Sequence, residues 1–157
     1  MPPKYPQIVS ILPLFVAIGT ALAAPAHARP DAPQVSGWAR ATVAGQQMAV
    51  AYLTIRYAGP GSERLLEVTS TAAKRVSLHE TRSSGGVVRM RSAGPPQIRA
   101  GEPLVMRSGG LHLMIEGLKA PLRPGTRLPL TLRFARAGTV RVSVPIQMSA
   151  PDDRHAH

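Results

Sequence analysis

The segment 111–115, Leu-His-Leu-Met-Ile, places two side chains with metal-binding chemistry two residues apart. Because side chains of a β-strand alternate between its two faces, a strand here presents His112 and Met114 on one face and three aliphatic residues on the other. Taken alone, the pair favours a histidine that meets solvent or has its own hydrogen-bond partners and a methionine that fills a gap in the core. A metal site therefore needs further ligands elsewhere in the chain.

A second His/Met pair lies in residues 75–91, where two strand-like runs flank the sequence Ser-Ser-Gly-Gly at 83–86. A two-residue turn at Ser84-Gly85 predicts a hairpin in which His79 and Met90 lie directly opposite each other. Turns rich in glycine also permit shifts of register, so a chance cross-strand contact stays open as the alternative.

The two pairs together form a ligand set of two imidazoles and two thioethers, which is the soft set that Cu(I) prefers. The chain has no cysteine, the residue that structural zinc sites usually use together with histidine. Thioethers are not consumed by disulfide formation, so such a set functions in an oxidising compartment. The residues predict a Cu(I) site made of His79, Met90, His112 and Met114.

Short apolar runs that alternate with turns rich in Gly and Pro must position these residues, which predicts an all-β sandwich or barrel. In the last run, Val140, Val142, Val144 and Ile146 fall on one face, which is the expected core face. Eight strands are predicted: Val35–Arg40, Met48–Tyr57, Arg64–Thr69, Arg75–Thr81, Gly86–Arg91, Leu111–Gly117, Leu128–Ala135 and Thr139–Ile146.

The first 28 residues have the pattern of a cleavable secretory signal: Lys4, an apolar run over residues 8–24, and Ala-His-Ala at 26–28. One domain over residues 29–150 follows, and then a flexible tail, 151–157, with two histidines, His155 and His157, that offer at most a loose Cu(II) ligand set. No later run has membrane-spanning length, so no transmembrane anchor is expected in the mature chain. These features predict a soluble periplasmic protein.

The chain is strongly basic, with 19 Lys and Arg against 8 Asp and Glu and a formal net charge of +11. Such a surface attracts anionic partners nonspecifically. Nucleic acid is not the expected partner, because the arginines are scattered and not interleaved with aromatic residues that could stack on bases. A metal-free basic β-sandwich that binds anionic envelope partners remains the alternative function.

Enzymatic activity is not expected. A hydrolase built on Ser77 and His79 needs an orienting acid, yet the aspartates of residues 29–157 are Asp31, Asp152 and Asp153, all near the ends. Glu80 and Glu116 are left as the formal candidates for that acid. A blue-copper electron carrier is disfavoured because its site uses a cysteine thiolate.

The spacing of the four residues resembles the copper signature of the periplasmic PCu(A)C copper chaperones: ten residues separate His79 from Met90, twenty-one separate Met90 from His112, and one separates His112 from Met114. The resemblance extends to Gly-Trp-Ala-Arg at 37–40, Ala-Tyr-Leu-Thr-Ile at 51–55 and Gly-Gly-Leu-His-Leu-Met at 109–114. It implies a cupredoxin-like Greek-key β-sandwich that holds one Cu(I). It also implies delivery to a copper acceptor of the periplasm or of the inner-membrane pathway that assembles cytochrome c oxidase.

Two positions depart from the family pattern. Glu116 stands where many relatives have a hydrophobic residue or methionine, and Tyr57 stands where an asparagine is common. Both lie outside the four proposed ligands. Of the other methionines, Met106 is expected to plug the space under a turn, and Met48 and Met148 are expected to pack in the ordinary way.

Overall fold

A computed structural model describes residues 32–150, which form ten β-strands and no helix. No helix that could span a membrane is present in this part of the chain. The predicted signal sequence and the tail at 151–157 lie outside the described residues. The strands are β1 (Gln34–Arg40), β2 (Met48–Arg56), β3 (Ser62–Thr69), β4 (Ala73–Ser84), β5 (Val87–Ser92), β6 (Gln97–Arg99), β7 (Leu104–Val105), β8 (Leu111–Leu118), β9 (Arg127–Phe134) and β10 (Thr139–Gln147).

The prediction of an all-β fold is confirmed, and the eight predicted strands appear with ends shifted by at most three residues. The prediction missed β6 and β7. These strands have three and two residues, so neither is long enough to show the alternation by which a strand is recognised.

Hydrogen bonds connect the strands in the order β5-β4-β8-β2-β1-β10-β9-β3-β6, and β7 pairs with the far end of β2. The sheet curls over so that β3 and β4, which are distant in this order, come into contact. Leu53, Leu113 and Ile115 from one half pack in the same buried cluster as Leu132 and Val144 from the other. The two halves thus form the layers of the predicted sandwich, with the aliphatic core between them.

The strand order determines where ligands can meet. β8 is paired on both sides, with β4 and β2, whereas β5 is an edge strand with all six of its side chains exposed. A site across β8, β4 and β5 therefore runs from the rigid middle of the layer to its open edge.

Glu63 on β3 is a buried acid, and only 1% of its surface is exposed. Its carboxylate accepts backbone N–H bonds from Arg64 (2.7 Å), Arg136 (3.1 Å) and Ala137 (2.7 Å), which ties the β9–β10 turn to β3. Burial raises the pKa of Glu63, but the backbone hydrogen bonds together lower this pKa by more than burial raises it, so the net shift is downward. The ionised form is therefore the one that stabilises the fold.

We expect Glu63→Gln to lower the free energy of unfolding at neutral pH by about 2 kcal/mol, because an amide offers one acceptor oxygen where the carboxylate offers two. A downward pKa shift gives stability that is fully present above the unfolded-state pKa, near 4.5, and is lost as the pH falls through the lower native pKa. Urea unfolding at several pH values measures both effects. Glu67→Gln, which alters the exposed ion pair with Arg133, is the control and should change stability little; equal losses in the two variants would contradict the role of Glu63.

Candidate metal centre

β8 presents its two candidate ligands as predicted. Leu113 and Ile115 are fully buried in the core, and His112 and Met114 lie on the opposite face of the strand. His112 is nevertheless only 4% exposed. Its Nδ1 lies 2.9 Å from the backbone oxygen of Gly110, which can only accept, so Nδ1 carries the proton and donates. The neutral imidazole then keeps a free lone pair on Nε2 for a metal.

His79 lies directly across from His112 in the ladder between β4 and β8. The two ring centroids are 6.1 Å apart and the planes are inclined by 31°. A metal ion bound about 2 Å from one nitrogen of each ring would separate the centroids by roughly 5 to 6.5 Å. The two imidazoles are therefore close enough to share one ion.

The predicted register of the β4–β5 hairpin is wrong by two residues. His79 pairs with Ser92 and Met90 pairs with Thr81, so His79 and Met90 are diagonal neighbours and not directly opposite. The turn is formed by Gly85 and Gly86, with φ of 58° and 77°. A two-residue turn with positive φ at both central positions favours Gly-Gly over Ser-Gly, because only glycine adopts that conformation without steric cost.

The error leaves Met90 on the same face as His79, because side chains alternate with a period of two and a shift of two preserves the face. His79, Met90, His112 and Met114 therefore share one face of the three adjacent strands β5, β4 and β8. Among residues 32–150, His, Cys, Asp and Glu form no group of three or more that could hold a metal ion. Beside the two imidazoles, the methionine sulfurs of Met90 and Met114 are the soft ligands on this face.

Burial decreases across the site toward the edge of the sheet. His112 is buried, His79 and Met114 are half-buried, and Met90 on the edge strand is 51% exposed. One side of the site is thus held rigidly and the other is open to solvent or to a second protein.

A polar chain extends from His79 along the same face. Ser77 Oγ lies 3.1 Å from His79 Nε2 and 3.5 Å from Glu116 Oε2, and Arg75 Nε donates to that same carboxylate oxygen at 2.6 Å. The hydrogen bond from Arg75 is the main cause of a lowered pKa at Glu116. From the sequence, Glu116 stood out as a departure from the family pattern and as a formal acid for a Ser77/His79 hydrolase. Its link through Ser77 to His79 as a metal ligand was not predicted.

The other methionines divide in a way that the sequence predicted only in part. Met106 is buried in the core cluster, as expected. Met148 is largely exposed, and Met48 is 47% exposed, so the expectation of ordinary packing is wrong for both. Met48 lines a shallow depression together with Met114, because β2 pairs with β8 at this point.

Comparisons with known proteins identify the family and the fold of the chain. The family model described as "Putative lipoprotein LpqE-like" matches residues 35–146. The protein named "Putative lipoprotein Lxx21020", from Leifsonia xyli subsp. xyli, is 36% identical over 136 residues, which cover 82% of this chain and 81% of that protein.

Two solved structures share the fold. The copper-bound PCuAC domain from PmoF2 superposes with a TM-score of 0.63 at 19% identity, over 74% of this chain and 93% of that one. The solution structure of CuI-DR1885 from Deinococcus radiodurans gives a TM-score of 0.60 at 25% identity, over 79% of this chain and 83% of that one. The predicted PCu(A)C resemblance and the cupredoxin-like fold class are confirmed.

Proposed function

The chain belongs to the LpqE-like family and has the fold of PCuAC copper domains, and from this premise we propose that it carries one Cu(I) ion on His79, Met90, His112 and Met114 and delivers it to an acceptor protein. The observation that carries the proposal is the meeting of two imidazoles and two methionines on one face of β4, β5 and β8.

The chemistry of this ligand set favours Cu(I) over other biological metals. Thioether sulfur and neutral imidazole are soft or borderline ligands, whereas Ca²⁺ and Mg²⁺ require oxygen ligands. All four ligands are uncharged, so the bound ion keeps its positive charge. The site therefore binds a metal without a thiolate, in a chain that has no cysteine.

The gradient of exposure suits a carrier rather than a catalyst or a permanent metal site. Copper transfer between proteins proceeds by ligand exchange, which requires that an incoming ligand reach the ion. His112 retains the ion from the buried side, and the exposed Met90 is the ligand that an acceptor can replace first. An acceptor in the assembly of the copper centres of cytochrome c oxidase is the partner that the PCu(A)C resemblance implies.

The proposed location is the periplasm, reached through a cleaved signal at residues 1–28. The composition of that segment supports export, and the name of the Leifsonia relative describes a lipoprotein, a class of exported protein.

Anaerobic titration of the purified protein with Cu(I) against a coloured Cu(I) chelator tests the proposal. The wild type should withdraw one equivalent of copper, and the double variant Met90→Ala/His112→Ala should withdraw none. Met148→Ala, which removes an exposed methionine after β10, is the matched control and should behave as the wild type. Identical behaviour of the wild type and the double variant would refute the copper site.

The alternative, a metal-free module for anionic partners, has one observation in its favour. Arg82, Arg89 and Arg91 lie together with Glu80 on the face of the β4–β5 hairpin that is opposite to Met90. This alternative predicts binding to anionic envelope components that weakens with salt and survives the loss of His112. Withdrawal of copper from the chelator by the wild type, but not by the double variant, would favour the copper-carrier function.

A further inference from the structure

We infer that Ser77 and Glu116 hold the His79 ring in a single tautomer and orientation, with the proton on Nε2 and the free lone pair of Nδ1 presented to Cu(I). The inference rests on the proposed function for the identity of the metal, whereas the hydrogen-bond chain is observed directly in the structure. Ser77 and Glu116 are thus positioning residues for a copper ligand.

The register of β4 and β8 builds this chain. Arg75, Ser77 and His79 occupy every second position of β4 and therefore share one face of the strand. Glu116 lies directly opposite Arg75 on β8. Ser77 is opposite Met114, so its hydroxyl lies among three of the groups that the site uses or needs: His79, Met114 and Glu116.

The charges along the chain decide the direction of each hydrogen bond. Glu116 is paired with Arg75 at 2.6 Å and, as a carboxylate, only accepts. The Ser77 hydroxyl, 3.5 Å from Glu116 Oε2, therefore directs its single proton to that oxygen across a long, weak contact. The lone pairs of Ser77 Oγ then accept from His79 Nε2–H at 3.1 Å. The remaining nitrogen of the neutral ring, Nδ1, carries no proton.

The two histidines are thereby held in opposite tautomers. Gly110 accepts from Nδ1 of His112 and leaves Nε2 free, whereas Ser77 accepts from Nε2 of His79 and leaves Nδ1 free. Hydrogen bonds of this kind to the metal-free nitrogen fix ring orientation at metal sites, and their loss typically costs 10–100-fold in metal affinity.

The first test uses ¹⁵N NMR of the imidazole nitrogens of the metal-free protein at mildly alkaline pH. His79 should show a protonated Nε2 and a bare Nδ1, and His112 should show the reverse pattern in the same spectrum. A protonated Nδ1 on His79 would overturn the inference, whatever the protein does with copper.

The second test compares Cu(I) affinities by chelator competition. We expect Ser77→Ala to weaken Cu(I) binding by about 10-fold or more and to broaden or shift the His79 ring signals. Glu116→Gln should have a smaller effect of the same kind. Ser77→Thr should retain the wild-type affinity and ring signals because it keeps the hydroxyl. Ser92→Ala is the control, since Ser92 also faces His79 across the ladder but is exposed on the edge strand. If Ser77→Ala matches Ser92→Ala in both affinity and ring signals, the inference is wrong. If the wild type itself withdraws no copper, the proposed function fails, and the NMR pattern still decides the hydrogen-bond chain.

Discussion

His112→Ala is expected to weaken Cu(I) binding by at least about 100-fold, above the 10–100-fold that loss of an outer hydrogen-bond partner costs at a metal site. Met90→Ala is expected to weaken it by only about 10-fold. His112 is buried and anchored through Nδ1, so its ring loses little freedom when copper binds. Met90 is half exposed on an edge strand, and immobilising such a side chain costs about 0.5–1.5 kcal/mol, which offsets part of its contribution.

Competition with a Cu(I) chelator measures both losses, and Met148→Ala again serves as the control. Because truncation of a buried ring also leaves a cavity, His112→Gln provides a second variant that keeps most of the volume and an amide able to donate to Gly110. Thermal unfolding of each variant separates loss of copper binding from loss of fold. Equal losses for His112 and Met90 would contradict the proposed division into a retaining ligand and an exchangeable one.

The sequence predicted the strands well wherever a strand was long enough to alternate. The run at 139–146 shows this most clearly, because its valines are the more buried residues and its arginine and serine are exposed. β6 and β7 were not predicted because they form through pairing with β3 and β2, and their own sequences are too short to show an alternating pattern. The order of the strands was available only through the family resemblance.

The candidate site divides in the same way. The shared face of His112 and Met114 follows from local alternation alone. The meeting of His79 and His112 does not, since thirty-two residues separate them and nothing local indicates that β4 pairs with β8. The face of Met90 was predicted correctly although the predicted turn was wrong, because a register shift of two residues leaves every side chain on the same face of the sheet. The sequence singled out Ser77 and Glu116 for other reasons but did not indicate a role for either at a metal site, since that role depends on cross-strand neighbours.

Gly37→Ala is expected to lower the free energy of unfolding by about 3 kcal/mol or more, through steric conflict in the pairing of β1 with β2. A Cβ at Gly37 would lie 2.1 Å from the backbone oxygen of Tyr52 and 2.9 Å from Cα of Leu53, and its φ is 152°. Backbone atoms in the middle of a sheet cannot move aside without disrupting the ladder. Since β2 also pairs with β8, which carries His112 and Met114, the variant should lose copper-binding capacity in proportion to its unfolded fraction.

Thermal unfolding of Gly37→Ala, with two control glycines, separates the sources of this loss. Gly45→Ala has a φ of 83° and no atom within 4 Å of the added Cβ, so it carries backbone strain alone, about 1–2 kcal/mol. Gly94→Ala has open space and no positive φ, and it should be close to neutral. The expected order of stability is Gly94→Ala, then Gly45→Ala, then Gly37→Ala. A melting temperature for Gly37→Ala as high as that of Gly45→Ala would show that β1 and β2 accommodate a side chain there, and the close approach of the two strands would then not be what makes glycine necessary at position 37.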